Sequence, residues 1–365
     1  MANTAEQLGK EEIMIKVKVV GAGGYGGVGI IELLLEHPET VISALVDVEN
    51  VGVSIAELYP HLDGFCDLTL LDPASADAQQ QVDVVFMATP DKVGMKLAPM
   101  EIEKGAKVID YSGDFRFNSE SAYADYASRI GKSFDHASPR LLKDAVYGIP
   151  ELHRREISPE TKVVGNPGCF AVGCILGLAP AVKSGLVKPE GIICDCKTGV
   201  SGAGKKVNPE FHYPARYDNM NAYRLAGHQH VCEIERELGL LAGSELQVTF
   251  TAQVLPVCRG IMSTLYGELT RATSEKEVLQ AYQNFYRDEP FIRLYDSSAR
   301  IGSMHVRGTN ACALVISVDR RTRRLRVVSY IDNLMKGQAG SALQNMNLLF
   351  GLPETLGLKR TGRYP

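Results

Sequence analysis

A glycine-rich turn near the start of the chain constrains the fold more than any other feature. Residues 21–27 (GAGGYGG) follow a run of β-branched residues, 13–20, and precede an apolar stretch, 28–37. Such runs are typical of a strand and a buried helix, and Pro38 then ends the helix. Glycines at this junction let the backbone turn tightly and approach a pyrophosphate, whose charge then lies at the helix N-terminus. We therefore predict a dinucleotide site here rather than an ordinary glycine-rich turn.

Strands and helices are predicted to alternate as far as residue 112. Residues 41–48, 82–89 and 106–112 read as apolar strands, and residues 92–104 as a helix. Unbroken apolar strands that alternate with helices indicate a parallel sheet covered on both faces. Asp47 ends the second strand, where a carboxylate can accept a hydrogen bond from a ribose 2′-hydroxyl. The alternative for Asp47 is a solvated loop carboxylate.

The pattern changes after residue 166. Helices are predicted over residues 169–184, 231–238, 275–287 and 337–350, and Ser274 with Glu277 forms a capping box before the third. Longer strands, several with period-two alternation, are predicted over residues 192–200, 246–257, 261–269, 311–318 and 325–331. This mixture indicates an α+β domain with a mainly antiparallel sheet.

Composition and charge exclude several classes of protein. The chain has 365 residues, of which 45% are hydrophobic and 22% charged, so it is neither disordered nor collagen-like. A net charge of −4 and a single basic block, residues 320–326, argue against nucleic-acid binding. No apolar run reaches the ~18 residues of a membrane span, and residues 1–12 read as a frayed polar tail rather than a signal peptide. We expect a cytoplasmic protein that binds neither nucleic acid nor membrane.

Cys169 is the predicted nucleophile among the eight cysteines. It follows Pro167 and Gly168, which give a sharp turn, and it opens a helix. The positive end of the helix dipole is expected to lower the pKa of its thiol and favour the thiolate. The alternative is a small buried hydrophobic side chain. No cysteine spacing indicates a metal site, so we predict none.

Two histidines are candidates for proton transfer. His228 and His230 lie in the segment GHQHVCE, residues 227–233, at the start of a predicted helix. A thiol that attacks a carbonyl needs a proton donor and acceptor near neutral pH, which histidine supplies. The two side chains project differently, so only one is expected to touch the substrate, and Glu233 could orient it. The alternative is a capping or surface pair.

Two further loops carry polar groups. Residues 198–206 (TGVSGAGKK) are glycine-rich, and their amides, with Lys205 nearby, could meet the nicotinamide, phosphate or carboxylate end of a ligand. Residues 111–116 (YSGDFR) follow a parallel strand at its carboxyl end, where open α/β sheets bind ligands. Arg116 could clamp an anion or pair with Asp114.

Seven segments occur in the order typical of one family. They are residues 21–27, 110–116 (DYSGDFR), 147–152 (YGIPEL), 166–169 (NPGC), 199–205 (GVSGAGK), 228–234 (HQHVCEI) and 332–340 (DNLMKGQAG). From about residue 17 to 357 the chain resembles the N-acetyl-gamma-glutamyl-phosphate reductase family, of the wider aspartate-semialdehyde dehydrogenase-like group. In that family a cysteine forms a thioester with the acyl phosphate, phosphate leaves, and NADPH delivers hydride to give the semialdehyde.

The resemblance implies roles for several of these motifs. Cys169 is the nucleophile and His228 the preferred acid/base, with His230 in reserve. The predicted cofactor-binding residues are Gly21, Gly23, Gly24, Tyr25, Gly26, Gly27, Asp47, Ser201, Gly202 and Asn333, of which the resemblance adds Asn333. The implied substrate-binding residues are Ser112, Arg116, Asn166 and Lys205. A Rossmann-like α/β domain is expected from residues 13–165 and 335–365, and a catalytic and oligomerisation domain, forming a homodimer or homotetramer, from residues 166–334.

Three departures from the family pattern are visible. Asp47 and Val48 stand where relatives carry the serine and arginine that hold the 2′-phosphate of NADP, which favours NAD on electrostatic grounds. Phe170 and Val172 replace a tyrosine and a threonine, and Cys232 replaces a proline. None of these removes a reacting group. The resemblance makes NADP the expected cofactor, and Asp47 makes NAD possible.

The leading functional hypothesis is reduction of N-acetyl-L-glutamyl 5-phosphate to the semialdehyde in arginine biosynthesis. One alternative is the carrier-protein-bound aminoadipyl-phosphate reductase of lysine biosynthesis, which the GVSGAG loop resembles less well. Another is a non-catalytic dinucleotide sensor. Cys169 beside His228 and Glu233 argues against a sensor, because a sensor needs no nucleophile.

Overall fold

A parallel sheet carries the glycine turn in the computed structural model, which describes residues 14–358 and 361–362. The tail predicted over residues 1–12 lies outside this part of the chain. The sheet has seven strands: β1 Ile15–Val20, β2 Thr40–Val46, β3 Leu70–Leu71, β4 Val84–Met87, β5 Lys107–Asp110, β6 Val146–Tyr147 and β7 Val163–Gly165. They lie in the order β3-β2-β1-β4-β5-β7-β6, and every pair is parallel.

Helices cover both faces of this first sheet, which explains its unbroken apolar strands. Those between its strands are α1 Tyr25–Leu35, α2 Ile55–Leu58, α3 Gly94–Glu103, α4 Glu120–Arg129, α5 Pro139–Lys143 and α6 Pro150–His153. Side chains of α1 pack into one core cluster, and those of α3 and α4 into another. All four residues of β4 are buried.

The second sheet is mixed and mainly antiparallel. Its strands are β8 Ile192–Thr198, β9 Asn221–Tyr223, β10 Val248–Val254, β11 Ile261–Glu268, β12 Ile292–Tyr295, β13 Cys312–Asp319 and β14 Arg324–Ile331. They lie in the order β12-β13-β14-β11-β8-β10-β9, with β8/β10 and β12/β13 parallel and the other pairs antiparallel. The predicted fold class, an α/β Rossmann-like domain with an α+β domain, is confirmed; the domain boundaries stay a prediction.

One face of the second sheet packs on helices. These are α7 Cys169–Lys183, α9 His230–Ala242 and α10 Glu275–Phe285, and the short helix α8 Tyr213–Arg216 lies in the loop before β9. Helix α7 is buried from Phe170 to Val182. Along β11 buried and half-buried residues alternate strictly, because successive side chains of a strand point to opposite faces. None of the helices in the described ranges is long and apolar enough to cross a membrane.

Two predicted helices begin differently. The first starts at Tyr25 rather than Val28, because Gly26 and Gly27 take part in the first turn after Gly24. The last is preceded by a π-helical turn, Met335–Ala339, before α11 Gly340–Leu349. We call Met335–Ala339 the π-turn. Helix α11 packs on α1 and β5, within the core of the first sheet.

Candidate active site

The glycine turn is shaped so that a ligand backbone can lie against it. Gly21 has a φ of 79°, in the left-handed region, and a side chain there would collide with the carbonyl oxygen of Ala88. A side chain on Gly27 would collide with the carbonyl oxygen of Gly21. The turn leads into the N-terminus of α1, whose first amides point outward and favour an anion. These residues fit the pyrophosphate of a dinucleotide.

Asp47 lies beside this turn, where the sequence predicted it. One of its carboxylate oxygens accepts the amide of Gly23 at 2.7 Å. The other accepts the amides of Val48 and Glu49 at 2.8 and 2.9 Å. The negative charge is therefore held at a fixed place next to the glycine turn.

A cavity of about 760 Å³ lies between the two sheets and brings most of the predicted residues together. Its lining includes Gly24, Tyr25, Gly26, Arg116, Asn166, Cys169, Ser201, Gly202, Lys205, His228, His230 and Asn333. Within the described chain, the predicted residues outside the lining are Gly21, Gly23, Gly27, Asp47, Ser112 and Glu233.

Cys169 is the first residue of α7 and its side chain is half-buried. Burial raises the pKa of this thiol to about 11, although the Arg116 guanidinium and the Phe170 amide act to lower it. The prediction of a lowered pKa is wrong, because loss of hydration outweighs the helix dipole and the nearby cation. A base must therefore take the proton before this sulfur can attack a carbonyl.

His228 and His230 are both buried and lie with their ring centroids 4.7 Å apart. Burial lowers the pKa of His228 to about 2 and that of His230 well below its usual value. Both imidazoles are therefore neutral near pH 7. His228 Nδ1 accepts the backbone amide of His230 at 3.2 Å, so its own proton sits on Nε2.

The ring of His230 lies against the turn that precedes Cys169. Any side chain on Gly168 would collide with Nε2 of His230 and would come within 2.7 Å of Glu233 Oε1. Nδ1 of His230 is buried without a hydrogen-bond partner in the described part of the chain. The sequence preferred His228, but the close packing against Gly168 belongs to His230.

Glu233 is fully buried behind the cavity and fixes its wall. Its Oε1 accepts Arg116 Nη1 at 3.0 Å, and its Oε2 accepts the Tyr147 hydroxyl at 2.7 Å and the Gly168 amide at 2.9 Å. It lies 4.0 Å from His230 Nε2. Glu233, predicted to orient one of the two histidines, instead forms an ion pair with Arg116 and a hydrogen bond to the turn before Cys169, and the nearer histidine is His230.

Arg116 presents a buried positive charge to the cavity. Its Nε donates to the Asn166 carbonyl at 2.8 Å and its Nη2 to the Tyr111 carbonyl at 2.5 Å. The sequence left open an anion or Asp114 as the partner of Arg116; the structure pairs the guanidinium with Glu233 rather than with Asp114. Each terminal nitrogen keeps a second N–H, so the guanidinium can still donate to an anionic ligand.

Asn166 and Ser112 differ in their access to the cavity. The Asn166 side chain donates to the Gln338 carbonyl at 3.0 Å and lines the cavity. Ser112 is buried, donates to Asp110 at 2.6 Å and accepts the Asp114 amide at 3.1 Å. The prediction that Ser112 contacts the substrate is therefore not supported, because its hydroxyl is used within its own loop.

The second glycine-rich loop meets the end of β14. Asn333 donates from Nδ2 to the Ser201 hydroxyl at 3.0 Å and accepts the Gly260 amide at 2.8 Å. Lys205 donates to the Gly23 carbonyl at 3.2 Å and lies over the Tyr59 ring. The sequence predicted Lys205 as a substrate-binding residue, but its ammonium lies beside Gly23 of the glycine turn.

Sequence reasoning missed Tyr147 and the π-turn. Tyr147 belongs to the YGIPEL segment, which carried the family resemblance without an assigned role. Gly337 and Gln338 of the π-turn line the cavity. The available signal was Gly337 at the start of the predicted helix, since a glycine in a helical pattern often has a packing or functional reason.

Comparisons with known proteins agree with this architecture. The family model described as "Semialdehyde dehydrogenase, NAD binding domain" matches residues 16–159. The model described as "Semialdehyde dehydrogenase, dimerisation domain" matches residues 169–333. Among solved structures, aspartate semialdehyde dehydrogenase II from Vibrio cholerae, complexed with ASA, superposes with a TM-score of 0.70 at 18% identity, covering 93% of this chain and 98% of that one. This likeness shows the shared fold.

Curated relatives are much closer in sequence. The N-acetyl-gamma-glutamyl-phosphate reductase of Citrifermentans bemidjiense is 42% identical over 96% of this chain and 100% of that protein. The enzyme of the same name from Geobacter metallireducens is 41% identical over 96% of this chain and 100% of its own length. Identity at this level over the whole length identifies the chain as a member of the N-acetyl-gamma-glutamyl-phosphate reductase family.

Proposed function

We propose that the protein reduces N-acetyl-L-glutamyl 5-phosphate to N-acetyl-L-glutamate 5-semialdehyde, a step of arginine biosynthesis. The observation that carries this proposal is one thiol, Cys169, that shares a cavity with a neutral histidine, a buried arginine and the glycine turn of a dinucleotide site. The relatives that bear this enzyme's name match along nearly their whole length, which supports the same substrate. When bound, the nicotinamide cofactor supplies the hydride that reduces the thioester.

His230 is proposed as the acid/base that serves Cys169. A neutral imidazole with its proton on Nδ1 can accept the thiol proton at Nε2, the atom packed against Gly168. As the sulfur bonds to the acyl carbon, the bond from that carbon to the phosphate oxygen breaks and phosphate leaves with the electron pair. His230 returns its proton to the sulfur when the carbon–sulfur bond breaks to release the aldehyde. His228 is proposed to hold the His230 backbone through its Nδ1.

Arg116 and Asn166 are proposed to bind the substrate. The guanidinium charge is buried and faces the cavity, so an anionic group there gains a strong, weakly screened attraction. Glu233 is proposed to hold this guanidinium and the turn before Cys169 rather than to move a proton. Lys205 is proposed to act on the cofactor side, because it reaches Gly23.

The cofactor is proposed to be NADP, with NAD accepted unusually well for the family. The glycine turn supports a nicotinamide dinucleotide, and a domain of this family is described as NAD binding. The carboxylate of Asp47 repels a 2′-phosphate and can accept from two ribose hydroxyls. Lys205 supplies an opposing positive charge from the other side of Gly23, which supports continued binding of NADP.

The chain is proposed to form a homodimer or homotetramer through the second sheet. The matching family model is a dimerisation domain. On β11 and β14, the half-buried face opposite α7 includes the neighbouring Met262 and Tyr330, and Thr264 and Val328. Apolar and aromatic side chains on one sheet face suit contact with a second copy. We also propose the cytoplasm as the location.

One assay tests the proposed function directly. Phosphate-dependent oxidation of N-acetyl-L-glutamate 5-semialdehyde should yield reduced cofactor with wild type and none with Cys169→Ser. Mass spectrometry after mixing with acyl phosphate, without cofactor, should find the acyl group on Cys169. Activity only with a carrier-protein-bound substrate would favour the aminoadipyl alternative, and binding of cofactor without any turnover would favour the sensor.

A further inference from the structure

The π-turn, Met335–Ala339, contacts both the proposed nucleophile, Cys169, and the glycine turn. A Cβ on Gly337 would lie 2.9 Å from the Cβ of Cys169, so no side chain fits there. Gln338 is the next residue of the π-turn, and its side-chain nitrogen Nε2 lies 2.9 Å from the position that a Cβ on Gly26 would occupy. Turns of the π type are rare inside helices and frequent at functional sites. This turn therefore lies against both Cys169 and the glycine turn.

A buried ion pair fixes the π-turn from behind. Lys336 Nζ lies 2.6 Å from Glu151 Oε1, with side chains that are 1% and 0% exposed, and 2.8 Å from Gln344 Oε1. The same ammonium lies 5.6 Å from the centre of the Phe291 ring. Lys336 is adjacent to Gly337, so the ion pair anchors the chain one residue before the backbone that contacts Cys169.

Stability alone does not account for this pair. Removing two charges from water costs about as much as their attraction returns, so a buried ion pair is weak support for a fold. Here the other oxygen of Glu151 is also buried without a hydrogen-bond partner among the described residues. An arrangement of this kind gains geometric definition rather than stability.

We infer that Lys336 is a positioning residue, which holds Cys169 at its working distance from the cofactor through the π-turn. The inference rests on the proposed role of Cys169 as nucleophile. Lys336 itself is buried away from the cavity lining within the described chain, so it acts only through Gly337 and Gln338.

The test compares two buried Lys–Glu pairs. Lys336→Met should lower kcat about 10- to 100-fold, the effect typical of a small misplacement of a reacting group. KM for the acyl phosphate and the Kd for NADPH, measured by its fluorescence, should change less than about threefold. Lys18→Met is the matched control, because Lys18 pairs with Glu101 at 2.9 Å in the first sheet with side chains 1% and 6% exposed. It should lower the melting temperature similarly and leave kcat within about twofold.

A second readout reports on Cys169 without turnover. Its rate of alkylation by iodoacetamide, followed by peptide mapping, should change in Lys336→Met and not in Lys18→Met. The exposed Cys258 serves as the internal reference in both variants. Equal alkylation rates and equal kcat values in the two variants would overturn the inference.

Two further variants keep the test decisive if Lys336→Met does not fold. The double variant Lys336→Met/Glu151→Met removes both buried charges, and wild-type kcat in it would overturn the inference. Gly337→Ala places a methyl group against Cys169 and should lower kcat. Gly29→Ala is its control, because its methyl group would meet Ala339 at an ordinary contact distance of 3.4 Å and should leave kcat unchanged. An active Cys169→Ser would reject the proposed function; an inactive Cys169→Ser with a normal Lys336→Met would reject only the positioning role.

Discussion

The two ends of the ligand cleft are built in different ways. At the thiol end, Cys169, His230 and Arg116 come from three distant segments. The side chains of His230 and Arg116 are buried. At the proposed ribose end, Asp47 is half-buried, and its carboxylate accepts hydrogen bonds from amides of its own turn and of the glycine turn. Tertiary packing therefore defines the chemistry at the first end, and local backbone at the second. Substitutions should change turnover at the thiol end and cofactor choice at the ribose end.

The largest effect is expected from Cys169→Ser at the thiol end. A serine hydroxyl is a poor nucleophile without activation, so kcat should fall by several orders of magnitude. NADPH should bind with its wild-type Kd, because the glycine turn is untouched. Cys258→Ser is the matched control, since this cysteine is exposed, and should keep full activity. A Cys169→Ser enzyme within tenfold of wild type would show that the sulfur does not form a thioester.

The next effect separates the two histidines. His230→Asn should lower kcat by about 10²- to 10⁴-fold, the range usual for a lost general acid/base. His228→Asn should cost less, because an asparagine oxygen can still accept the His230 amide. Steady-state kinetics of both variants decides the assignment. A larger loss in His228→Asn would restore the choice that the sequence favoured.

A smaller effect is expected at the ribose end. Asp47→Ser should raise the kcat/KM for NADP relative to NAD by about tenfold, a modest value because salt screens a half-exposed charge. The change should shrink as salt is raised from 50 to about 500 mM. Lys205→Met should shift the ratio the other way. If neither variant alters the ratio, neither charge faces the ribose.

The smallest effect concerns acid stability. The pKa values of His228 and His230 are lowered in the folded protein, so the unfolded chain binds more protons below about pH 6.5 and acid favours unfolding. For each histidine, the free energy of unfolding should fall by up to about 1.4 kcal/mol for every pH unit below that value. Urea unfolding at pH 7.5 and 5.5 should show a smaller loss in His228→Gln than in wild type, and an equal loss in Asp47→Ser. An equal loss in wild type and His228→Gln would mean that the folded state protonates His228.

Much of the fold could be predicted because it depends on patterns among residues that are close in the sequence. The glycine turn, the apolar strands and the helix that begins at Cys169 each depend on neighbouring residues. The antiparallel character of the second sheet followed from period-two alternation, which β11 retains along its whole length.

The rest depends on contacts between distant residues. Arg116 meets Glu233 across 117 positions, and Lys205 meets Gly23 across 182, so no local pattern indicates either contact. The pKa of Cys169 was predicted in the wrong direction because helix position is local, whereas burial is set by the whole fold. Gly337 was read as part of an ordinary helix, since the contact that requires it lies on another segment.

The place of α11 has a consequence for the order in which the protein matures. Leu343, Met346 and Leu349 complete the core of the first sheet, yet they belong to the last helix of the described chain. During synthesis, the strands and helices that form the rest of this core leave the ribosome early. Helix α11 leaves it only after the whole second sheet. Until α11 is made, the core of the first sheet therefore keeps apolar surface exposed, the kind of surface that makes folding intermediates prone to aggregate.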